Sequence, residues 1–217
     1  MQVISLSPLF AALVRGVGLS SAFVAGVATR KATARQDCRR VPSLTLACAL
    51  AIACVSLTQL LYQPRLLPLL MRDAPRVHDG QSWRLLTSLF VQDGGWAGLG
   101  FNLVGLLAIG TSAEWMLGKM RWAVVAAASV IAAQWAALTW QPLGAGNSIV
   151  NFGLAGAICA ACLLDRSARH VRLPAIAASA CFVLLLAAAD IHGGAAVAGA
   201  LAASAIALSG RRSGAVP

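Results

Sequence analysis

The chain has 217 residues, of which 59% are hydrophobic and 11% charged, and its mean hydropathy is +0.78. That is too little polar surface to coat a soluble globule, so the composition excludes an ordinary water-soluble domain and points to a bilayer. The net charge of +10 does not indicate nucleic-acid binding, because the basic residues are scattered between apolar runs without interleaved aromatics.

Lipid offers no hydrogen-bond partner to the backbone, and the apolar runs are continuous rather than alternating, so the expected fold class is all-α: a polytopic membrane helical bundle. The first 28 residues leave alternatives open. Val3 to Ala28 is apolar but interrupted by Pro8, Arg15 and several Ser and Gly residues. An amphipathic segment on the inner surface is preferred, a further span is the first alternative and a misassigned start or disorder the other, and a cleaved leader is disfavoured because Met1 to Leu13 has no basic start.

Six windows then approach the ~20 residues needed to cross about 30 Å of hydrocarbon. They are Leu44 to Tyr62, Trp96 to Leu117, Trp122 to Trp140, Ser148 to Leu164, Leu173 to Ala189 and Ile191 to Leu208. The implied organisation is a cytoplasmic N-terminal segment over 1–43, a six-span membrane domain over 44–210 and a cytoplasmic tail over 211–217. Placing the segment before the first span inside puts 13 of the 17 basic residues in the cytoplasm, Arg15 among them, and four in the outer loop Gln63 to Gly95. Both termini are then expected in the cytoplasm of a multi-pass inner-membrane protein. Tryptophans at span ends, including Trp83, Trp96, Trp122 and Trp140, read as interfacial anchors. The six cysteines lie mostly in apolar stretches and read as small core residues, and neither metal nor cofactor is expected.

Polar side chains inside a bilayer are costly, so each is a functional hypothesis. Of three histidines, His78 and His170 fall in loops, and only His192 begins a span. On the assumed orientation that span starts outside, as does the one opening at Ser148, which follows the uncharged loop Gln141 to Asn147. A serine becomes nucleophilic when a base within hydrogen-bond reach takes its proton, and neutral histidine is the usual base near pH 7. The bland reading is that Ser148 caps its helix and His192 packs, and spacing alone favours it. Glu114 reads as structural. Gln134, Trp135 and Asn151 read as interhelical contacts or cavity lining. Asp190, two residues before His192, reads as a marker of the water boundary, because i and i+2 do not face each other on a helix.

Three blocks carry a resemblance. Trp83-Arg-Leu-Leu-Thr-Ser-Leu-Phe90, Gly94-Gly-Trp96, Phe101-Asn102 and Ala113-Glu-Trp-Met-Leu-Gly118 form the first. Gly146-Asn-Ser-Ile-Val-Asn-Phe-Gly-Leu-Ala-Gly-Ala157 is the second, and Ile191-His-Gly-Gly-Ala-Ala-Val-Ala-Gly199 the third. In this order they resemble the rhomboid intramembrane serine proteases. The resemblance implies a six-span core of the bacterial type and an endopeptidase that cuts transmembrane segments of other membrane proteins without a cofactor. It implies Ser148 as nucleophile, His192 as general base in a dyad without a carboxylate, and Asn102 as oxyanion donor beside the Ser148 N–H. Phe152 matches the aromatic that packs on the base, and Trp83 and Arg84 match a structural outer-loop pair. Gly146 belongs to the nucleophile loop, while Gly153, Gly156, Gly194 and Gly199 are expected to let the two catalytic spans approach closely. The sequence departs from the family at Gly98, where a second oxyanion donor, histidine, is usual, and at Ile149, where glycine follows the serine. The alternative implied is a catalytically inactive member that binds transmembrane clients. Oligomeric state is not legible.

Overall fold

A computed structural model describes residues 6–33, 41–165 and 168–213. Arg35, Arg39, Arg40 and Arg166, counted above among inner charges, and residues 214–217 of the expected tail lie outside these.

The fold is helical, as the composition requires. The helices α1 (Pro8–Thr33), α2 (Ser43–Leu61), α8 (Lys119–Trp140), α10 (Arg172–Ala187) and α11 (Ile191–Ser213) are continuous. One span is composite: α6 (Gly95–Gly105) passes through a π-helical turn (Leu106–Gly110) into α7 (Thr111–Leu117). A π turn displaces the regular hydrogen-bond ladder. Here the indole Nε1–H of Trp122 donates to the Gly110 carbonyl at 3.0 Å. Trp122 is therefore a buried core residue rather than the interfacial anchor expected. Gly118, at φ +78, turns the chain directly from α7 into α8, a conformation that favours glycine.

Among the described residues, six helices are long and apolar enough to cross a membrane, and the shorter α9 (Ser148–Leu164) makes a seventh apolar helix. The five-helix and composite-span set expected from Leu44 onward is present, with boundaries within three residues except that α11 continues to Ser213. α9 is central. It packs on α11, α8, α10 and α1, and twelve of its 17 residues are buried on every side. That enclosure explains why a helix too short to span unaided is uniformly apolar.

The N-terminal segment differs from the preferred expectation. Rather than lying on a surface, α1 packs lengthwise against α10 and α9 and reaches α7. Pro8 sits at the first helical position, where a missing N–H costs nothing, so it begins the helix instead of breaking it. Gly18 faces Phe182 of α10, where an added Cβ would lie 2.8 Å from Cε1, and Gly26 faces Ser112 and Ile158. Arg15 lies beside Asp190 at the Ser148 end of the bundle, while Ala25 neighbours Cys162 at the other. The helical chain therefore starts at one end of the bundle, and α11 finishes at the opposite end. Arg15, grouped above with the inner charges, therefore stands at the Ser148 end. The positive-inside rule assumes loop charges, and Arg15 belongs to a helix.

The segment between α2 and α6 is ordered by short elements: α3 (Leu66–Leu70), β1 (Arg72–Asp73), α4 (Ala74–His78) and α5 (Arg84–Thr87). β1 pairs antiparallel with β2 (Leu143–Gly144) in the loop before Ser148, in the register Arg72 to Gly144 and Asp73 to Leu143. Arg84, 2% exposed, donates to the carbonyls of Pro68 and Met71 and to Gln81, and stacks 4.8 Å from the Trp83 ring. Its role is to tie the loop together.

Candidate active site

α9 begins at Ser148 because Asn147 leaves helical geometry and Gly146 adopts φ +119. An L side chain at 146 would be strained there and would also sit 2.7 Å from the Asn102 amide nitrogen, so the loop must be glycine to lie on Asn102. The Gly146 N–H donates to the Ser88 carbonyl at 2.8 Å and the Ala145 N–H to Asp93 at 2.9 Å, so the outer loop holds this turn in place.

Ser148 Oγ stands 2.9 Å from His192 Nε2. The approach is made by glycines. A Cβ at Gly156 or Gly199 would run into the opposing backbone of Ala196 or Gly153 respectively, and one at Gly153 would strike Ser129. Gly194 is different, since a Cβ there would meet only Trp140 at an ordinary 3.7 Å. The close residue at that level is Gly193, which touches the backbone at the end of α10. Gly193 and Gly194 are consecutive small residues that the sequence alone does not tell apart. The Phe152 ring lies 4.7 Å from the His192 ring and 5.8 Å from Phe182.

A cavity of about 300 Å³ opens at the pair, lined by Asn102, Gly146, Ser148, Ile149 and His192, with Arg15, Arg72 and Asp93 at its polar margin. Asn102 projects from α6, and its Nδ2 donates to Gln92 Oε1 at 2.7 Å. Asn147 and Asn151 in turn donate to the Asn102 carbonyl, which ties α6 to α9. The start of α9 has no side-chain cap, and since the Val150 N–H donates to the Asn147 carbonyl, the N–H groups of Ser148 and Ile149 are the ones placed to face an anion. Gly98 offers no side-chain donor, and a Cβ built there would lie 4.0 Å from Gln92 Oε1. Gln92 is buried beside Asn102 and bonded to Ser56 and Gln59; sequence reasoning passed over it because a lone glutamine in a loop has no periodicity. Ile149 adopts helical backbone with its side chain in the core.

Asp190 departs most from expectation. Its Oδ1 accepts the His192 backbone N–H at 2.9 Å and lies 2.5 Å from His192 Nδ1. The i, i+2 argument fails because Asp190 is not within the helix: it precedes α11 in the N-cap position, from which a short carboxylate folds back over the first turn. Ala189, at φ +54, makes the turn that aims it. Burial acts to raise the Asp190 carboxyl, but the hydrogen bonds and charge of His192 and the hydrogen bond from Arg15 outweigh it and hold the group below its ordinary range. Burial pushes the Arg72 guanidinium down, against the charge of Asp93.

Elsewhere, Glu114 accepts the N–H groups of Leu44 and Thr45 and the Thr45 hydroxyl, capping α2. Gln134 binds Arg72 and Ser88, and Trp135 is exposed. Cys159 and Cys162 are buried free thiols one turn apart on α9. Among the described residues no group of three His, Cys, Asp or Glu gathers to hold a metal.

Comparison with curated proteins finds no match to this chain. The family model of the Rhomboid domain matches residues 79–212, from the outer loop through α11. That is well over half of the chain and includes Asn102, Ser148 and His192, so the chain belongs to the rhomboid family.

Proposed function

We propose that this protein is an intramembrane serine endopeptidase, acting on transmembrane segments of other membrane proteins through Ser148 and His192. The single observation that carries the reading is the 2.9 Å contact between Ser148 Oγ and His192 Nε2, at the mouth of a cavity with polar walls. His192 Nε2 takes the hydroxyl proton as Ser148 Oγ attacks the scissile carbonyl carbon. The carbonyl oxygen becomes an oxyanion, for which the Ser148 N–H and the Asn102 amide are the donors at hand. Collapse passes the proton from His192 to the leaving amine and leaves an acyl ester on Ser148. A water deprotonated by His192 then releases the acid and restores the hydroxyl. A helix hides its carbonyls in its own hydrogen bonds, so the substrate must unwind locally to present one.

The cavity end of the bundle is assigned to the outer side of the inner membrane, because the helix ends and connections at the other end carry Arg30, Lys31, Lys119, Arg121, Arg169, Arg172, Arg211 and Arg212, against Arg15, Arg65, Arg72, Arg76 and Arg84 at this one. A fluorophosphonate probe on the detergent-solubilised protein labels the wild type and not Ser148→Ala. Failure of the wild type to label, with client capture unaffected by Ser148→Ala and His192→Ala, would replace this reading with the inactive, client-binding one that Gly98 favours.

A further inference from the structure

We infer that Asp190 is a positioning residue for the reaction, completing a Ser148–His192–Asp190 line of hydrogen bonds that Arg15 of α1 anchors. The inference rests on the proposed peptidase reading. Asp190 uses both oxygens. Oδ1 faces His192 Nδ1 at 2.5 Å and takes the His192 N–H, while Oδ2 accepts from Arg15 Nη2 at 2.5 Å and Nε at 3.0 Å. The Asp190 side chain is 7% exposed and that of His192 13%.

A carboxylate on Nδ1 places the imidazole proton there, so Nε2 presents its lone pair to Ser148. When Nε2 takes the serine proton, the same carboxylate faces the imidazolium, and no proton need pass to Asp190. A buried carboxylate demands a partner, and the partner here is a cation from α1. The segment outside the matched domain thus reaches the catalytic line through one side chain, across 175 positions of sequence.

A cap role alone is separable from this one. Asparagine caps a helix about as well as aspartate. Asp190→Asn therefore keeps the acceptor for the His192 N–H but removes the charge, and its amide NH₂ can select the wrong tautomer. The groups facing His192 are Asp190 from the turn before α11, Arg15 from α1 and Ser148 from α9, with Arg72 of β1 and Asp93 of the outer loop on the same cavity. Of these, only Asp190 touches Nδ1 among the described residues.

The test measures cleavage of a reconstituted transmembrane substrate against pH for wild type, Asp190→Asn, Asp190→Glu and Arg15→Met. Asp190→Asn is expected to lower kcat by up to about 10⁴-fold, the loss a misdirected histidine causes in soluble serine hydrolases, with KM little changed. The acid limb of its profile moves to lower pH, since the protonated ring has lost its anion, and Asp190→Glu returns that limb towards wild type. Arg15→Met shifts kcat in the same direction by a smaller factor, and serves if Asp190→Asn does not fold. Wild-type kcat and an unmoved acid limb in Asp190→Asn, or in Arg15→Met where that variant stands in, would reduce Asp190 to a helix cap. Labelling distinguishes the two levels: if Ser148 labels in the wild type and the Asp190→Asn profile is unchanged, this inference alone falls. If Ser148 does not label, the peptidase reading falls and this one with it.

Discussion

Replacing Gly199 by alanine tests whether backbone contact between α9 and α11 sets the distance between Ser148 and His192. A Cβ at Gly199 would run into the carbonyl oxygen of Gly153, and would lie 2.6 Å from its carbonyl carbon and 2.9 Å from its Cα. Both partners are backbone, so no rotamer change relieves the clash. Ordinary contact begins at 3.4 Å, so the helices must separate by at least the difference, 3.4 less 2.6, or 0.8 Å. Carried to the site as a rigid displacement, this opens the 2.9 Å contact to about 3.7 Å or more, outside hydrogen-bond range. A misplacement of that size costs on the order of 100-fold in rate, and overpacking costs about 1–3 kcal/mol in stability. Gly194→Ala is the control on the same helix, because its Cβ would meet only Trp140 at 3.7 Å. The assay is the rate of fluorophosphonate labelling of each detergent-solubilised variant beside its thermal unfolding. Labelling of folded Gly199→Ala at the wild-type rate would refute the reasoning. Equal slowing of both variants would show that the loss is not specific to the close contact.

Three further outcomes are expected. Glu114→Ala removes the acceptor for two backbone N–H groups and one hydroxyl at the start of α2, where Pro42 supplies no side-chain cap; it should cost about 1–3 kcal/mol in detergent unfolding while labelling of the folded fraction persists. Ala189→Gly removes the cost of a left-handed alanine, about 1–2 kcal/mol, and should raise the unfolding temperature or leave it unchanged; a fall would show that the turn is not strained. Asp190 is held below its ordinary value of 3.8, so its contribution to stability is complete above that value and is lost as pH falls below it. Thermal unfolding temperatures of wild type and Asp190→Asn, measured against pH, should therefore converge as pH drops below about 4 and diverge above it.

Much of the architecture was legible because membrane physics leaves few choices. A chain this apolar must satisfy its backbone internally, so helices and their approximate bounds follow from composition and window length. The order of the serine and histidine segments was equally readable, since each opens a span next to small residues. The close contact of α9 and α11 at Gly199 also follows a sequence signal, whereas Gly193 and Gly194 are indistinguishable until the path of α10 is known.

By itself, then, the sequence determined helix content, span positions and the candidate pair of side chains, because these depend on local hydrophobicity and residue type. Only the tertiary structure decided that α1 joins the bundle, that Arg15 lies with Asp190, and that Asp190 turns back onto His192. The first two require knowing which helices are neighbours, and a bilayer makes every apolar helix a candidate neighbour. The third depends on where α11 begins. One residue separates a side chain that points away along a helix from a cap that folds over its first turn, and periodicity does not resolve a boundary that finely.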